Sequence, residues 1–346
     1  NARILIMDEP TSSLTTGEIT LLLKIMKSLK NEGVSILFIT HKLEEVLEIA
    51  DRITVLRDGS YIDTLQKDDA TLEKMVSLMV GRNFEKKAHR EFIQDYSDRE
   101  VILEVQNLSS SDRVKNVSFK LYKGEVLGLT GLVGSGRTEL LQSIFGMEKM
   151  ASGEVLINGK EVKINHPADA IKLGLGMIAE DRKEQGMLLK LSVQDNMTIV
   201  HLKKLSSALQ FINKKRSKEI SNKYVNLLSI KTPSLKQISK NLSGGNQQKT
   251  IIARWLMNQP KILFMDEPTH GIDVGAKAEI YKLIDELSKM GVSVILLSSE
   301  LPEVLALCDR IMVMHHGQLK GILHHQEADQ VKIMSFILEN KKAIAS

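Results

Sequence analysis

The chain has a single cysteine, Cys308, among 346 residues. One thiol excludes an intrachain disulfide and a multi-cysteine zinc site, which points to a reducing, cytosolic setting. Long apolar runs are missing as well: none approaches the ~18 to 20 residues needed to cross a bilayer, and no basic-then-apolar leader opens the chain. No direct bilayer insertion is expected, so any membrane connection must run through a partner. Charge of one sign is also absent. Lys and Arg number 47 against 43 acids, a net charge of +4, and they are mixed along the chain, so no nucleic-acid partner is expected.

What the chain does have is a stretch that occurs twice. Ile4-Leu5-Ile6-Met7-Asp8-Glu9-Pro10-Thr11 returns as Ile262-Leu263-Phe264-Met265-Asp266-Glu267-Pro268-Thr269. The register holds without a gap from Asn1 to Gly59 against Gln259 to Gly317, a constant offset of 258 with 22 of 59 positions identical. So long a period excludes stacked solenoid units of about 20 to 50 residues and implies two copies of a domain. The first copy starts in its middle, and the chain opens with Asn directly before a strand. A fragment of a longer product is therefore expected, with about 258 further residues ahead of Asn1.

Apolar runs at 3–8 and 34–40 read as buried parallel strands on either side of an amphipathic helix from Thr16 to Asn31. Strand, helix, strand in that order means a parallel α/β sheet. Runs at 53–56 and 60–65 bracket the hairpin signal Asp58-Gly59, repeated around Gly317, and a short helix is expected from Leu72 to Val80. These residues, 1–80, form the C-terminal part of the first domain. Residues 81–100 are dense in charge without apolar periodicity and read as a linker. A second, complete domain is expected over 101–340, opening with strands at 101–106, 114–121 and 125–130. Within it, residues 187–240 are Lys-rich and Leu-spaced, an inserted helical subdomain.

Gly131-Leu132-Val133-Gly134-Ser135-Gly136-Arg137-Thr138 follows an apolar strand and precedes the helical pattern Glu139 to Phe145. That is the context of a phosphate-binding loop, whose backbone N–H groups and helix N-terminus face the anion. Thr138 would offer its hydroxyl to Mg2+. Arg137 stands where the usual pattern has Lys, and its bulkier, forked guanidinium would position phosphates less well. No aromatic residue ahead of the loop is placed to stack on a base. Asp266 and Glu267 close an apolar strand, where acids project into the ligand crevice of an open α/β sheet; Asp266 would hold Mg2+ and Glu267 would polarise an attacking water. The alternative is a pair of N-capping acids. Leu242-Ser243-Gly244-Gly245-Asn246-Gln247-Gln248-Lys249 supplies an N-cap candidate, Ser243, and glycines that let a second anion approach a helix N-terminus. Paired histidines at 315–316 and 324–325 have Arg57-Asp58 and Gln66-Lys67 as repeat equivalents, so they read as solvated hairpin residues. Trp255 reads as a core residue.

Together these strings resemble the ATP-binding subunits of ABC transporters, in particular the tandem sugar-importer ATPases of the ribose, galactose, xylose and arabinose group. The Leu-Ser-Gly-Gly-Asn-Gln-Gln-Lys form, Gly136-Arg137-Thr138, Glu180-Asp181-Arg182-Lys183 and Ser298-Ser299-Glu300-Leu301-Pro302-Glu303 all agree, over essentially the whole chain. The resemblance implies a P-loop NTPase-type α/β domain with an inserted helical subdomain, preceded by a partial copy of the same domain. It implies ATP and Mg2+ as ligands. ATP contacts fall on Gly131, Gly134, Ser135, Gly136, Arg137, Thr138, Glu180, Ser243, Gly244, Gly245 and Gln247, metal contacts on Asp8, Thr138 and Asp266, and catalytic roles on Glu9, His41 and Glu267. The implied partners are a membrane sugar permease dimer, touched by Glu180 and the segment to about Asn196, and indirectly an external solute-binding protein. The implied location is the cytoplasmic face of a bacterial plasma membrane. A soluble tandem ATPase acting on ribosomes, or an inactive remnant, are the other readings.

The repeat also predicts an asymmetry. His41 lies 33 residues after Asp8, whereas the same step from Asp266 reaches Ser299. In the family this histidine resembles a γ-phosphate contact, for which a serine hydroxyl is too short. Because these domains pair head to tail, Asp8, Glu9 and His41 would face Ser243, Gly244 and Gly245 in the competent site, and the site of Arg137, Thr138, Asp266 and Glu267 would be slow. With no phosphate loop in its first half, the fragment alone is expected to turn over ATP weakly.

Overall fold

The structure, a computed structural model, describes residues 2–11, 14, 16–40, 43–57, 60–71, 74–75, 78, 91–110, 113–132, 134–206 and 211–338. The chain divides into two compact units: Asn1–His89 with Asp273–Ala276, and Arg90–Ile272 with Lys277–Ser346.

In the first unit β1 (Ile4–Asp8) and β2 (Ser35–Ile39) pair in parallel with Asp8 opposite Ile39. They are joined by α1 (Thr16–Asn31), which carries Glu18 in its first turn and Lys30 in its last, as the helix dipole favours. One face of the strand pair, Met7, Ile36 and Phe38, packs with Leu23 and Met26 of α1 and with Ile49 of α2 (Leu43–Ile49). A separate antiparallel hairpin, β3 (Arg52–Arg57) and β4 (Ser60–Gln66), closes over Ile53, Val55, Leu65 and Met75. Most of the helix expected over 72–80 lies outside the described residues.

The second unit opens with β5 (Val101–Ser110), β6 (Val114–Tyr122) and β7 (Val126–Gly131), followed by α3 (Arg137–Phe145). Next come β8 (Ser152–Ile157), β9 (Lys160–Glu161), α4 (Pro167–Lys172) and β10 (Leu175–Ile178). The helices α5 (Val193–Thr198), α6 (Leu202–Leu205), α7 (Lys214–Leu227) and α8 (Gly244–Leu256) form the next stretch. The chain then returns to the sheet with β11 (Ile262–Asp266), α9 (Val274–Lys289), β12 (Ser293–Leu297) and α10 (Leu301–Leu307). It ends with β13 (Arg310–His315), β14 (Gln318–His324) and α11 (Gln330–Leu338). The main sheet has the order β10-β11-β12-β7-β13-β14, parallel up to the β13–β14 hairpin, and β6-β5-β8-β9 make a second, antiparallel sheet. β11 and β12 are buried at every position, as a parallel sheet covered on both faces requires.

Every named element of the first unit recurs 258 residues later with the same bounds, including a bulge between Val55 and Leu56 that returns between Val313 and Met314. The surroundings differ. β7 lies between β12 and β13, and β10 flanks β11. Among the described residues no strand takes either place in the first unit, so its two strand pairs stay apart.

Two stretches depart from the sequence pattern. Residues 91–100, expected as linker, form a strap on the second unit. Phe92 stacks on His325 at 3.4 Å between ring centroids, and the Ile93 N–H donates to Asp309 Oδ1 at 2.9 Å. The Arg310 guanidinium lies 4.8 Å from the Tyr96 ring and 4.9 Å from the Tyr122 ring, with Nε donating to the buried Glu125 at 2.7 Å. Stacked rings and a paired cation give the strap its hold: half-buried His325 packs on Phe92, and His324, exposed as expected, meets the Tyr96 ring edge-on. Residues 81–90 lie outside the described residues. The helical layer, in turn, does not stop at 240: α8 packs on α5 and α7, carrying it to Leu256. Buried Arg254 fastens it, donating from Nε to Asn196 O, from Nη1 to Gly186 O and from Nη2 to Asn196 Oδ1. Trp255 packs edge-on against Phe145.

Candidate functional site

The glycine-rich loop runs from the end of β7 into α3. A Cβ on Gly131 would sit 2.2 Å from Met314 O, and one on Gly136, where φ is +94°, would sit 2.2 Å from Arg113 O. Backbone on either side therefore demands glycine before any ligand is considered. Ser135 is buried and holds the loop through its main chain, donating to Leu132 O and accepting from Gly317 N, while its hydroxyl has no hydrogen-bond partner. Gly134 is exposed, and open space surrounds its α-carbon.

Asp266 ends β11 almost wholly buried, and neither carboxylate oxygen has a hydrogen-bond partner of ordinary geometry. Burial pushes its pKa up to about 7, against the opposing pull of the nearby Thr138 hydroxyl and Arg137. Glu267 follows at φ +44°, a left-handed conformation that costs a non-glycine residue about 1–3 kcal/mol and gathers at functional sites. Its N–H donates to Leu297 O at 2.9 Å, and its Oε1 accepts from Ser299 N at 2.7 Å. Burial raises the Glu267 pKa as well. Arg137, 8% exposed, reaches Ser298 O with Nη1 at 3.4 Å; burial lowers its pKa, and the fields of Glu267, Asp266 and Glu180 oppose that shift. Arg137, Thr138, Glu180, Asp266 and Glu267 thus share one electrostatic neighbourhood at the C-terminal ends of the parallel strands. The N-capping alternative for the acid pair does not hold, because α9 begins only at Val274, where Asp273 Oδ1 accepts from Ala276 N at 2.9 Å.

The Ser-Gly-Gly segment is placed differently from its pattern. Ser243 occupies the N-cap position of α8 without capping it; its hydroxyl accepts instead from Asn246 Nδ2 at 2.8 Å. Gly244 is half-buried and Gly245 buried. Gln247 is buried too and donates from Nε2 to Ser239 O at 3.1 Å, so it faces the helical layer rather than a ligand. Arg182 is a residue that pattern alone does not single out, although it stands inside the Glu-Asp-Arg-Lys string. Its Nη2 donates to Gly271 O and would lie 3.1 Å from a Cβ on Gly244, while Nε and Nη1 are buried without partners.

In the first unit Asp8 and Glu9 are exposed, and Glu9 repeats φ +44° with its N–H donating to Ile39 O at 2.8 Å. His41 lies outside the described residues.

A glycine loop and an acid pair at the same end of a parallel sheet define a P-loop-type nucleotide-binding α/β domain. The family model described as ABC transporter matches residues 114–270. A ribose import ATP-binding protein of Clostridium tetani is 47% identical over 97% of this chain and 66% of its own length. A putative ribose/galactose/methyl galactoside import ATP-binding protein of Geobacillus kaustophilus is 47% identical over 99% of this chain and 68% of its own. A xylose import ATP-binding protein of Thermoanaerobacter pseudethanolicus is 50% identical over 96% and 67%. The crystal structure of a nucleotide-free ATP-binding cassette from an ABC transporter, 24% identical, superposes with a TM-score of 0.58 over 71% of this chain and 98% of that one. The chain belongs to the ATP-binding proteins of the ABC transporter family, and it spans about two thirds of the length of the curated relatives it matches.

Proposed function

We propose that this chain is the ATP-binding, energy-coupling part of a bacterial importer for a monosaccharide of the ribose, galactose or xylose kind. ATP hydrolysis would switch a membrane permease dimer that receives sugar from an external solute-binding protein. The observation that carries this reading is the match of nearly the whole chain, through both copies of the repeat, to proteins named for import of those sugars. No helix among the described residues is long and apolar enough to cross a membrane, in keeping with a peripheral place on the cytoplasmic face of the permease.

The donor set suits a hard cation. Asp266 offers buried carboxylate oxygens without partners and Thr138 a neighbouring hydroxyl, the one or two protein ligands that Mg2+ takes beside substrate phosphates. Bound there, Mg2+ would neutralise charge on the phosphates of ATP. The glycine loop and Arg137 would hold those phosphates, and Glu267, raised in pKa by burial, would accept a proton from water. Asp8 and Glu9 take the corresponding roles in the first copy, and the family resemblance adds His41 to them. The lack of that histidine at Ser299 and of lysine at Arg137 favours most turnover at Glu9.

Affinity purification from membranes separates the readings. Recovery of a sugar permease, with ATP-dependent sugar uptake in reconstituted vesicles, supports import. Recovery of ribosomes instead, or failure to bind ATP in any form of the protein, overturns it.

A further inference from the structure

One hydrogen bond occurs at the same place in both copies and involves residues given no role so far. Thr269 Oγ1 donates to Glu303 Oε1 at 2.9 Å, and Thr11 Oγ1 donates to Glu45 Oε2 at 2.8 Å. Each residue of the second pair is its counterpart displaced by 258. All four are buried: Thr11, Thr269 and Glu303 are 1% exposed and Glu45 7%. A buried carboxyl group is expensive to keep. Glu303 shows that expense, since burial raises its pKa and the Ser298 and Thr269 hydroxyls offset it only in part.

The surroundings of the two carboxyl groups differ. Glu303 faces the Tyr281 phenol, whose pKa burial and that carboxyl raise, and it lies near the ion pair of Lys277 and Glu300. The positions of Ser298, Tyr281 and Lys277 are held in the first copy by Thr40, Leu23 and Ile19. The threonine partner is present in both copies.

What this bond joins is specific. Thr269 closes the turn in which Glu267 sits at φ +44°, and Glu303 stands in the first turn of α10, directly after Ser298 and Ser299. Two further links bridge the same turns, from Glu267 N to Leu297 O and from Ser299 N to Glu267 Oε1. The first copy repeats the strained φ of +44° and the link from Glu9 N to Ile39 O.

We propose that Glu303, and Glu45 in the first copy, are positioning residues. Through the threonine hydroxyl each locks the left-handed turn that aims the strand-end glutamate against the helix that follows position 299 or 41. Strand-end glutamate and the helix that follows then move as one body. The kinetic consequence rests on the ATP-hydrolysis reading above; the rigid link rests on the geometry alone.

The test uses the whole chain and four variants. Thr269→Val and Glu303→Met remove donor and acceptor, whereas Thr269→Ser and Glu303→Gln keep them. Amide hydrogen exchange should quicken about tenfold or more over residues 297–301 in the first two, remain near wild type in the other two, and stay unchanged in β7 and β11 throughout. Unaltered exchange at 297–301 in both breaking variants, or equal acceleration of every strand, overturns the link. In a chain extended to the length of its relatives, the first-copy changes Thr11→Val and Glu45→Met should lower kcat about tenfold to a hundredfold and Thr269→Val and Glu303→Met less than about threefold, while ATP affinity stays within about twofold, because misplacement acts on the reacting geometry. Unchanged kcat in Thr11→Val and Glu45→Met overturns the catalytic consequence. Absence of hydrolysis in the extended wild type overturns the functional reading and leaves the exchange result to decide the link.

Discussion

β1 and β11 carry almost the same residues, Ile-Leu-Ile-Met-Asp and Ile-Leu-Phe-Met-Asp, and each pairs in parallel with the strand after its helix. Yet Ile6 is 65% exposed and Phe264 is fully buried. The left-handed glutamate, the bulge and the Thr–Glu bond are local and repeat faithfully. Burial is not local: in the second unit β7 and β10 flank the strands and complete the sheet. Chemistry follows burial. Asp266 is driven toward neutrality by desolvation and both its carboxylate oxygens are buried, whereas Asp8, the same residue in the same motif, is exposed.

The largest expected effect tests that contrast in stability. Phe264→Ala should destabilise the second unit by about 3–5 kcal/mol, while Ile6→Ala should change the first unit by no more than about 0.5 kcal/mol. Denaturant unfolding followed separately in each unit measures both, and equal costs would dissolve the distinction. Next comes catalysis. In a chain extended to the length of its relatives, Glu9→Gln should lower steady-state phosphate release about a hundredfold and Glu267→Gln less than about threefold. Comparable losses would mean that the two copies work as equal sites. The smallest effect concerns the helical layer, which among the described residues belongs to the second unit alone. Burial lowers the pKa of His201 below its ordinary 6.5, against the opposing bond to Asn258. As pH falls through 6.5 the unfolded chain takes up this proton before the folded one, so stability should decline below that pH and be unaffected by His201 above it. A urea midpoint for the second unit that is lower at pH 5.5 than at pH 7.5, with the difference reduced in His201→Asn, is the expected result; an unchanged difference would remove His201 from the account.

Much of the fold could be read from sequence because it is written in local patterns. The bounds of α1, the parallel strands and the hairpins follow from periodicity and turn residues, and the constant offset of 258 doubles each signal. The glycine loop and the acid pair were legible for the same reason. Ser243 and Gln247 were less so, since a short pattern cannot say which way a helix turns its first residues once α5 and α7 pack against it. The strap was hidden by its charges, as its grip comes from Phe92 and Tyr96 meeting side chains more than 200 residues further on, at His325 and Arg310. Arg182 is set by Gly244 and Gly271, two glycines distant in sequence. The Thr–Glu bond did leave a trace: Thr11 matches Thr269 and Glu45 matches Glu303, identities outside the strand-end acids that the repeat alone makes visible.

The glycine loop also constrains what the chain can become. Met314 O, from β13, and Arg113 O, from the turn just before β6, close on Gly131 and Gly136, whereas nothing crowds Gly134. If residues 131–136 were randomised and selected for folding alone, substitution should be refused at 131 and 136 and at 134 be limited to residues such as Asn and Asp that tolerate its φ of +77°. Two of the loop's three glycines would then persist after nucleotide binding had been lost, so their presence in a distant sequence testifies to the hairpin packed behind the loop as much as to any phosphate in front of it.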